Sequence, residues 1–84
     1  MLKSGYTKWL EEWFADKTDM PAESNDVNFF NSAWLDSFKT LSLVLDIEKK
    51  LGVSLSDSAM SDARFSTITG LSEILFEQKN ASVG

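Results

Sequence analysis

The sequence predicts an all-α fold, a small four-helix bundle with three main helices, one short third helix and a long loop between the first and second. Apolar residues recur at helical spacing in three separate stretches, and residues that favour caps, turns and loops lie between them. At 84 residues the chain is long enough for one small core. Because it contains no cysteine and no histidine, disulfides and the usual structural zinc sites are excluded.

The first helix is predicted from about Ser4 to Lys17. Its large apolar residues recur at i, i+3, i+4, i+7 and i+8, which places them on one helical face. They are Tyr6, Trp9, Leu10, Trp13 and Phe14. We interpret this face as a core face, because such residues are usually buried, and an aromatic binding surface is the alternative.

The segment from Thr18 to Asp36 loses the helical period and is predicted to be a loop. Pro21 and the polar run at residues 23–26 favour this interpretation. We expect the large apolar residues that follow to lie across the helices and fill the core, with a short helical turn at residues 28–32. These apolar residues are Phe29, Phe30, Trp34 and Leu35.

The second helix is predicted over residues 37–51. Its polar arc is narrow, and its apolar arc is wider than one packing face needs in a small bundle. Phe38 and Leu45 lie at the edge of the apolar arc, beside Ser42 and Lys49. We therefore expect Phe38 and Leu45 to be partly exposed and available to a partner.

Gly52 is expected to end the second helix, since glycine readily adopts the left-handed conformation at helix ends. A short third helix is predicted near residues 57–61, with Ser56 as its N-cap. The final helix is predicted from residue 67 to about residue 78, with Ser66 as its cap. The sequence thus predicts one domain over residues 1–79 and a flexible tail over residues 80–84.

Composition narrows the environment and the partners of the chain. No apolar run approaches the length of a membrane span, and residues 1–3 lead into polar residues, not into an apolar signal segment. We expect a cytoplasmic monomer without membrane insertion. The net charge of −5 disfavours nucleic acid and favours a protein partner with a basic face.

Ser37 lies at the predicted start of the second helix, where its side-chain hydroxyl is expected to face solvent. A serine nucleophile needs a base within hydrogen-bond reach, and histidine, the common base, is absent. Lys39, the nearest lysine, lies about 200° around the helix from Ser37. The pattern therefore favours a serine that another enzyme modifies, with a simple helix cap as the alternative.

The stretch Ala33-Trp34-Leu35-Asp36-Ser37-Phe38, followed by an amphipathic helix that ends in Leu51-Gly52-Val53, resembles the attachment region of acyl carrier proteins. The resemblance covers about residues 28–75. It implies a carrier without catalytic activity, whose serine at the start of the second helix receives a 4′-phosphopantetheine group from coenzyme A. The thiol of that group carries acyl or aminoacyl intermediates as thioesters between the enzymes of a biosynthetic pathway.

By position, the resemblance makes Ser37 the attachment residue, Asp36 the preceding acid and Phe38 the apolar residue that follows. It also implies that Leu41, Val44 and Ile47 are buried in the second helix. The implied partners are a phosphopantetheinyl transferase, an acyl- or aminoacyl-activating ligase and a downstream transferase or synthase.

Two departures from the fatty-acid carriers bear on the pathway. The predicted second helix has a net charge of +1, whereas those carriers usually have a strongly acidic one. Fatty-acid carriers commonly have a glycine before Asp-Ser, whereas this chain has the bulky residues Trp34 and Leu35. A bulky pair at this position resembles carriers of the D-alanyl, aminoacyl or specialised-pathway type. We favour that type over a fatty-acid carrier, and a helical adaptor without a prosthetic group is the alternative from another class. Partner-binding residues are predicted at Trp34, Phe38, Lys39, Ser42, Leu45 and Lys49.

Overall fold

The computed structural model describes residues 2–81, and these residues form a helical bundle without strands. Helix α1 spans Lys3–Lys17, α2 spans Ser37–Asp46 and continues as a π-helix over Ile47–Leu51, α3 spans Asp57–Met60, and α4 spans Ile68–Ala81. The predicted all-α bundle, with its short third helix and long first loop, is confirmed. Within the described part of the chain, no helix combines the length and apolar character needed to cross a bilayer.

Helix α1 packs against α4 through the predicted apolar face. Tyr6, Leu10 and Phe14 are fully buried, which confirms that this stripe is a core face. Trp9 differs, because it is only partly buried at the edge of the core. At the C-terminal end, the backbone amide of Thr18 donates to the Phe14 carbonyl at 2.9 Å and closes the last turn.

The loop over residues 18–36 contributes to the core, as predicted, but not with all of its aromatic residues. Phe29 is fully buried and stacks on Phe14 with ring centroids 5.0 Å apart. Its amide donates to the Ser66 carbonyl at 2.8 Å, which ties the loop to the residues before α4. Phe30 was expected in the core, but 42% of its surface is exposed. The predicted helical turn is a run of hydrogen-bonded turns in which the Asn28 side chain accepts from the amides of residues 30 and 31.

Helix α2 is held against α1 at its C-terminal end. The indole Nε1 of Trp13 donates to Asp46 Oδ2 at 2.9 Å, at the junction between the α-helical and π-helical parts. Gly52 ends the π-helix with φ +66°, so the prediction of a left-handed glycine there is confirmed. Val53, the next residue, is buried and returns the chain to the core.

Two helix caps were predicted in the connection between α2 and α4, and the structure confirms one of them and contradicts the other. Ser56 Oγ accepts from the Ala59 amide at 3.1 Å, which confirms it as the cap of α3. For α4, however, Thr67 Oγ1 accepts the Gly70 amide at 2.9 Å, while the Ser66 hydroxyl donates to a carbonyl of the connection. Ser66 was therefore the wrong cap by one residue.

Arg64 fastens this connection to α4 through carboxylates. Its guanidinium donates to Asp62 at 2.9 Å and to Glu77 at 2.6 Å. These hydrogen bonds hold the pKa of both carboxyl groups below the ordinary values and raise the pKa of the guanidinium itself. Helix α4 then runs to Ala81, so the first two residues of the predicted tail are helical, and residues 82–84 lie outside the described part.

Candidate functional site

Ser37 is the first residue of α2, and its side chain is exposed. Asp36 precedes it as the N-cap, in an extended conformation, and Asp36 Oδ1 accepts from the Lys39 amide at 2.9 Å. The Asp36 carbonyl also accepts from the amide and the hydroxyl of Thr40, at 2.8 and 2.7 Å. Asp36 therefore performs the capping, and the hydroxyl of Ser37 is not needed for it.

The approach of the loop to this helix start is fixed by hydrogen bonds to one carbonyl. The amides of Trp34 and Leu35 both donate to the Phe29 carbonyl, at 3.0 and 3.3 Å. Ala33, just before them, has φ +60°, a left-handed conformation that turns the chain toward α2. Leu35 is buried and anchors the end of the loop in the core, so the next two residues are held at the surface.

The electrostatic environment at the start of α2 suits a phosphate. Among residues 2–80, no acceptor binds the backbone amides of Ser37 and Phe38, and free amides at a helix N-terminus attract anions together with the helix dipole. The first turn contains no acidic residue, and Lys39 lies within it. In the same part of the chain, no side chain bonds the Ser37 hydroxyl.

A comparison with known protein families indicates the kind of site that lies at the start of α2. The sequence matches the family described as the phosphopantetheine attachment site over residues 8–75, which is well over half of the chain. The chain belongs to this family of carrier proteins. The family attaches a 4′-phosphopantetheine prosthetic group, and its carrier domains are generally non-catalytic, are modified by phosphopantetheinyl transferase and interact with partner enzymes.

The residues present fit that prosthetic group. A phosphodiester needs an accessible hydroxyl and an environment that tolerates negative charge, and the start of α2 has both. The carboxylate of Asp36 would oppose a nearby phosphate, but its Oδ1 is directed to the Lys39 amide by the capping bond. Attachment at Ser37 itself stays a prediction.

The predicted partner-binding residues fall into two groups by exposure. Phe38, Ser42 and Leu45 are exposed along one face of α2, with Phe38 exposed over 85% and Leu45 over 46% of its surface, and Lys49 is exposed in the π-helix that follows. Lys39 and Trp34 are only partly exposed, and Trp34 packs against the core. Four of the six predicted residues are thus exposed, and three of these lie on one face of α2.

Leu41 belongs to the same exposed face, although the resemblance placed it among the buried residues of the second helix. Its surface is 57% exposed, whereas Val44 and Ile47 are buried as expected. On a helix, Leu41 lies within about 60° of Phe38 and Leu45. That spacing was available in the sequence and indicates that the three side chains share one face.

Proposed function

We propose that this protein is an acyl carrier protein that bears its 4′-phosphopantetheine group on Ser37. The Ser37 hydroxyl, activated by a base of the transferase, would form the phosphate ester while coenzyme A loses its adenosine bisphosphate portion. The attached group would supply a terminal thiol, which holds an acyl or aminoacyl group as a thioester. The observation that carries the proposal is an exposed serine with an unbonded hydroxyl at a capped helix start, within a chain of the phosphopantetheine attachment family.

Each neighbour of Ser37 has a separate task in this proposal. Asp36 fixes the backbone of the first turn of α2 by capping, and this keeps the Ser37 side chain at the exposed helix start. The free amides at residues 37 and 38 stabilise the phosphodiester charge. Leu35 holds the preceding loop in the core, and a rigid helix start costs the transferase less ordering entropy when it binds.

For the pathway, we propose an aminoacyl or specialised biosynthetic route, with fatty-acid synthesis as the alternative. The support is the exposed face of α2, where Phe38, Leu41 and Leu45 form an apolar strip. Residues 37–51 carry three lysines and two acidic residues, so partner enzymes that recognise a strongly acidic helix are poorly matched. An activating ligase and a downstream transferase or synthase would dock on this strip.

Loading by a broad-specificity phosphopantetheinyl transferase tests the attachment. The full chain is incubated with coenzyme A and the transferase, and intact protein is weighed by mass spectrometry. We expect the wild-type chain and Ser58→Ala, a control at an exposed serine of α3, to gain one phosphopantetheine, and Ser37→Ala to gain none. A chain that gains no group at all would instead favour the helical adaptor without a prosthetic group.

The pathway and the docking strip need a second measurement, made on chain already loaded with the prosthetic group. Purified aminoacyl-activating and fatty-acyl-activating ligases are offered in parallel, and transfer of the activated group is followed by mass spectrometry. We expect transfer from an aminoacyl ligase, and a lower transfer rate for Leu41→Ala and Leu45→Ala. Val27→Ala, which shortens an exposed apolar residue of the first loop, is the matched control. Transfer from the fatty-acyl ligase alone would contradict the proposed pathway.

A further inference from the structure

A cavity of about 300 Å³ lies away from α2, between α1, the first loop and the start of α4. Its apolar walls include Ala15 of α1, Met20 and Ala22 of the loop, and Ile68 of α4. Met20 and Ile68 are buried, so they form its inner wall, while the two alanines are exposed near the mouth. This volume is sufficient for one large apolar side chain and is small for a drug-sized molecule.

Three carboxylates surround the apolar walls. Glu11 and Glu12 of α1 and Glu23 of the loop all line the cavity and are exposed. The loop adds further negative charge, since residues 18–35 contain three acidic residues and no lysine or arginine. Residues 18–35 therefore have a net charge of −3, whereas residues 37–51 have a net charge of +1.

Hydrogen bonds to the surrounding helices hold the cavity open in its present shape. Asn25 Nδ2 donates to Glu11 Oε2 at 2.8 Å, and the Asn25 carbonyl accepts from the Thr69 amide at 3.1 Å. The adjacent Ser24 is buried, and its carbonyl accepts from the Val27 amide at 3.0 Å. Because hydrogen bonds already join the loop to both α1 and α4, binding of a ligand in this cavity costs little free energy for ordering the loop.

We propose that this cavity is a second docking site, at which a basic segment of a partner protein inserts one apolar side chain between the three carboxylates. A few well-buried anchor residues carry most of the binding energy at protein interfaces, and complementary charges add specificity and speed association. The charge of the rim selects a partner with lysine or arginine beside the anchor. No residue of α2 lines the cavity, so this site can be occupied while the helix start at Ser37 faces another enzyme.

Peptide titration of the full chain, followed by amide chemical shifts in NMR, tests this proposal. The probe is a short peptide in which one tryptophan is flanked by lysines on both sides, and the matched peptide has serine in place of tryptophan. We expect saturable shifts at residues 11–25 and around residue 68 with the tryptophan peptide only. We also expect weaker binding as salt is raised, because the rim carboxylates are exposed.

Two kinds of variant separate the cavity from general charge attraction. Ala15→Leu and Ala22→Leu add a larger side chain at the mouth, and each should weaken peptide binding by about tenfold or more. Glu12→Gln and Glu23→Gln should each weaken it by about two- to fivefold, as exposed ion pairs do. Ala63→Leu and Glu48→Gln, an exposed alanine and an exposed glutamate outside the cavity, should leave the binding unchanged.

Several outcomes would overturn the proposal. They are shifts that map to α2, equal binding of the serine peptide, unchanged binding of the two leucine variants, and concentration-dependent shifts without peptide, which would assign the cavity to a second copy of the chain. Ser37→Ala should bind the peptide like the wild type. The docking site and the attachment at Ser37 can therefore fail separately.

Discussion

Replacing Gly70 by alanine sets two opposing contributions to stability against each other. Alanine stabilises a helix interior by about 1 kcal/mol relative to glycine. In this fold, however, a Cβ atom at residue 70 would lie 2.3 Å from the Arg64 carbonyl oxygen and 3.0 Å from the carbonyl carbon and Cα. These are backbone atoms, so no change of rotamer relieves the contact, and the connection before α4 has to move.

The size of the steric contribution decides the sign. Overpacking of a well-packed contact costs about 1–3 kcal/mol, and a 2.3 Å separation is far inside the normal contact distance of about 3.5 Å, so the upper end applies. After subtraction of the propensity gain, we expect Gly70→Ala to lower the free energy of unfolding by about 2 kcal/mol.

Urea unfolding monitored by circular dichroism measures this change. Thr69→Ala is the matched control, because Thr69 is exposed in the same turn and only its backbone amide bonds the loop. It should change the free energy of unfolding by no more than about 0.5 kcal/mol. A Gly70→Ala chain as stable as the wild type, or more stable, would refute the reasoning that glycine is required by the close approach of the connection.

Three further changes test the contacts that hold α2 and α4. Asp36→Ala removes the cap of α2 and should cost about 1 kcal/mol in urea unfolding, while Asp36→Asn should recover most of it. Trp13→Phe removes the donor to Asp46 and should also cost about 1 kcal/mol, with Asp46→Asn milder because it keeps an acceptor. Arg64 lowers the pKa of its two carboxylate partners, Asp62 and Glu77. Their contribution to the free energy of unfolding is therefore present above the ordinary pKa values and is lost as the pH falls through the lower values of the folded state. Below about pH 4.5, unfolding midpoints of the wild type should therefore fall more steeply than those of Arg64→Gln, and parallel curves would contradict this account.

The helices were predictable from the sequence because the apolar period reports directly which residues face a core. Tyr6, Leu10 and Phe14 are buried as their spacing indicates. The start of α2 was predictable for a different reason, since an aspartate followed by an amphipathic run is a local signal that does not depend on distant contacts.

Other features depend on tertiary contacts and were not predictable in this way. The apolar arc of α2 is wide, and only the position of the neighbouring elements decides that Val44 is buried and Leu41 exposed. Ser66 and Thr67 are adjacent hydroxyl residues, and either can cap a helix, so the choice depends on where α4 begins. The cavity involves the aperiodic residues 20–25, whose placement follows from hydrogen bonds to α1 and α4.

Direct mapping of the modified residue tests the central claim most closely. After loading by the transferase, cleavage at lysine releases residues 18–39 as one peptide, which contains Ser24, Ser32 and Ser37. Fragmentation of this peptide in a mass spectrometer locates the phosphopantetheine on one serine. We predict that it lies on Ser37, whereas its location on Ser24, Ser32 or any residue outside this peptide would contradict the account.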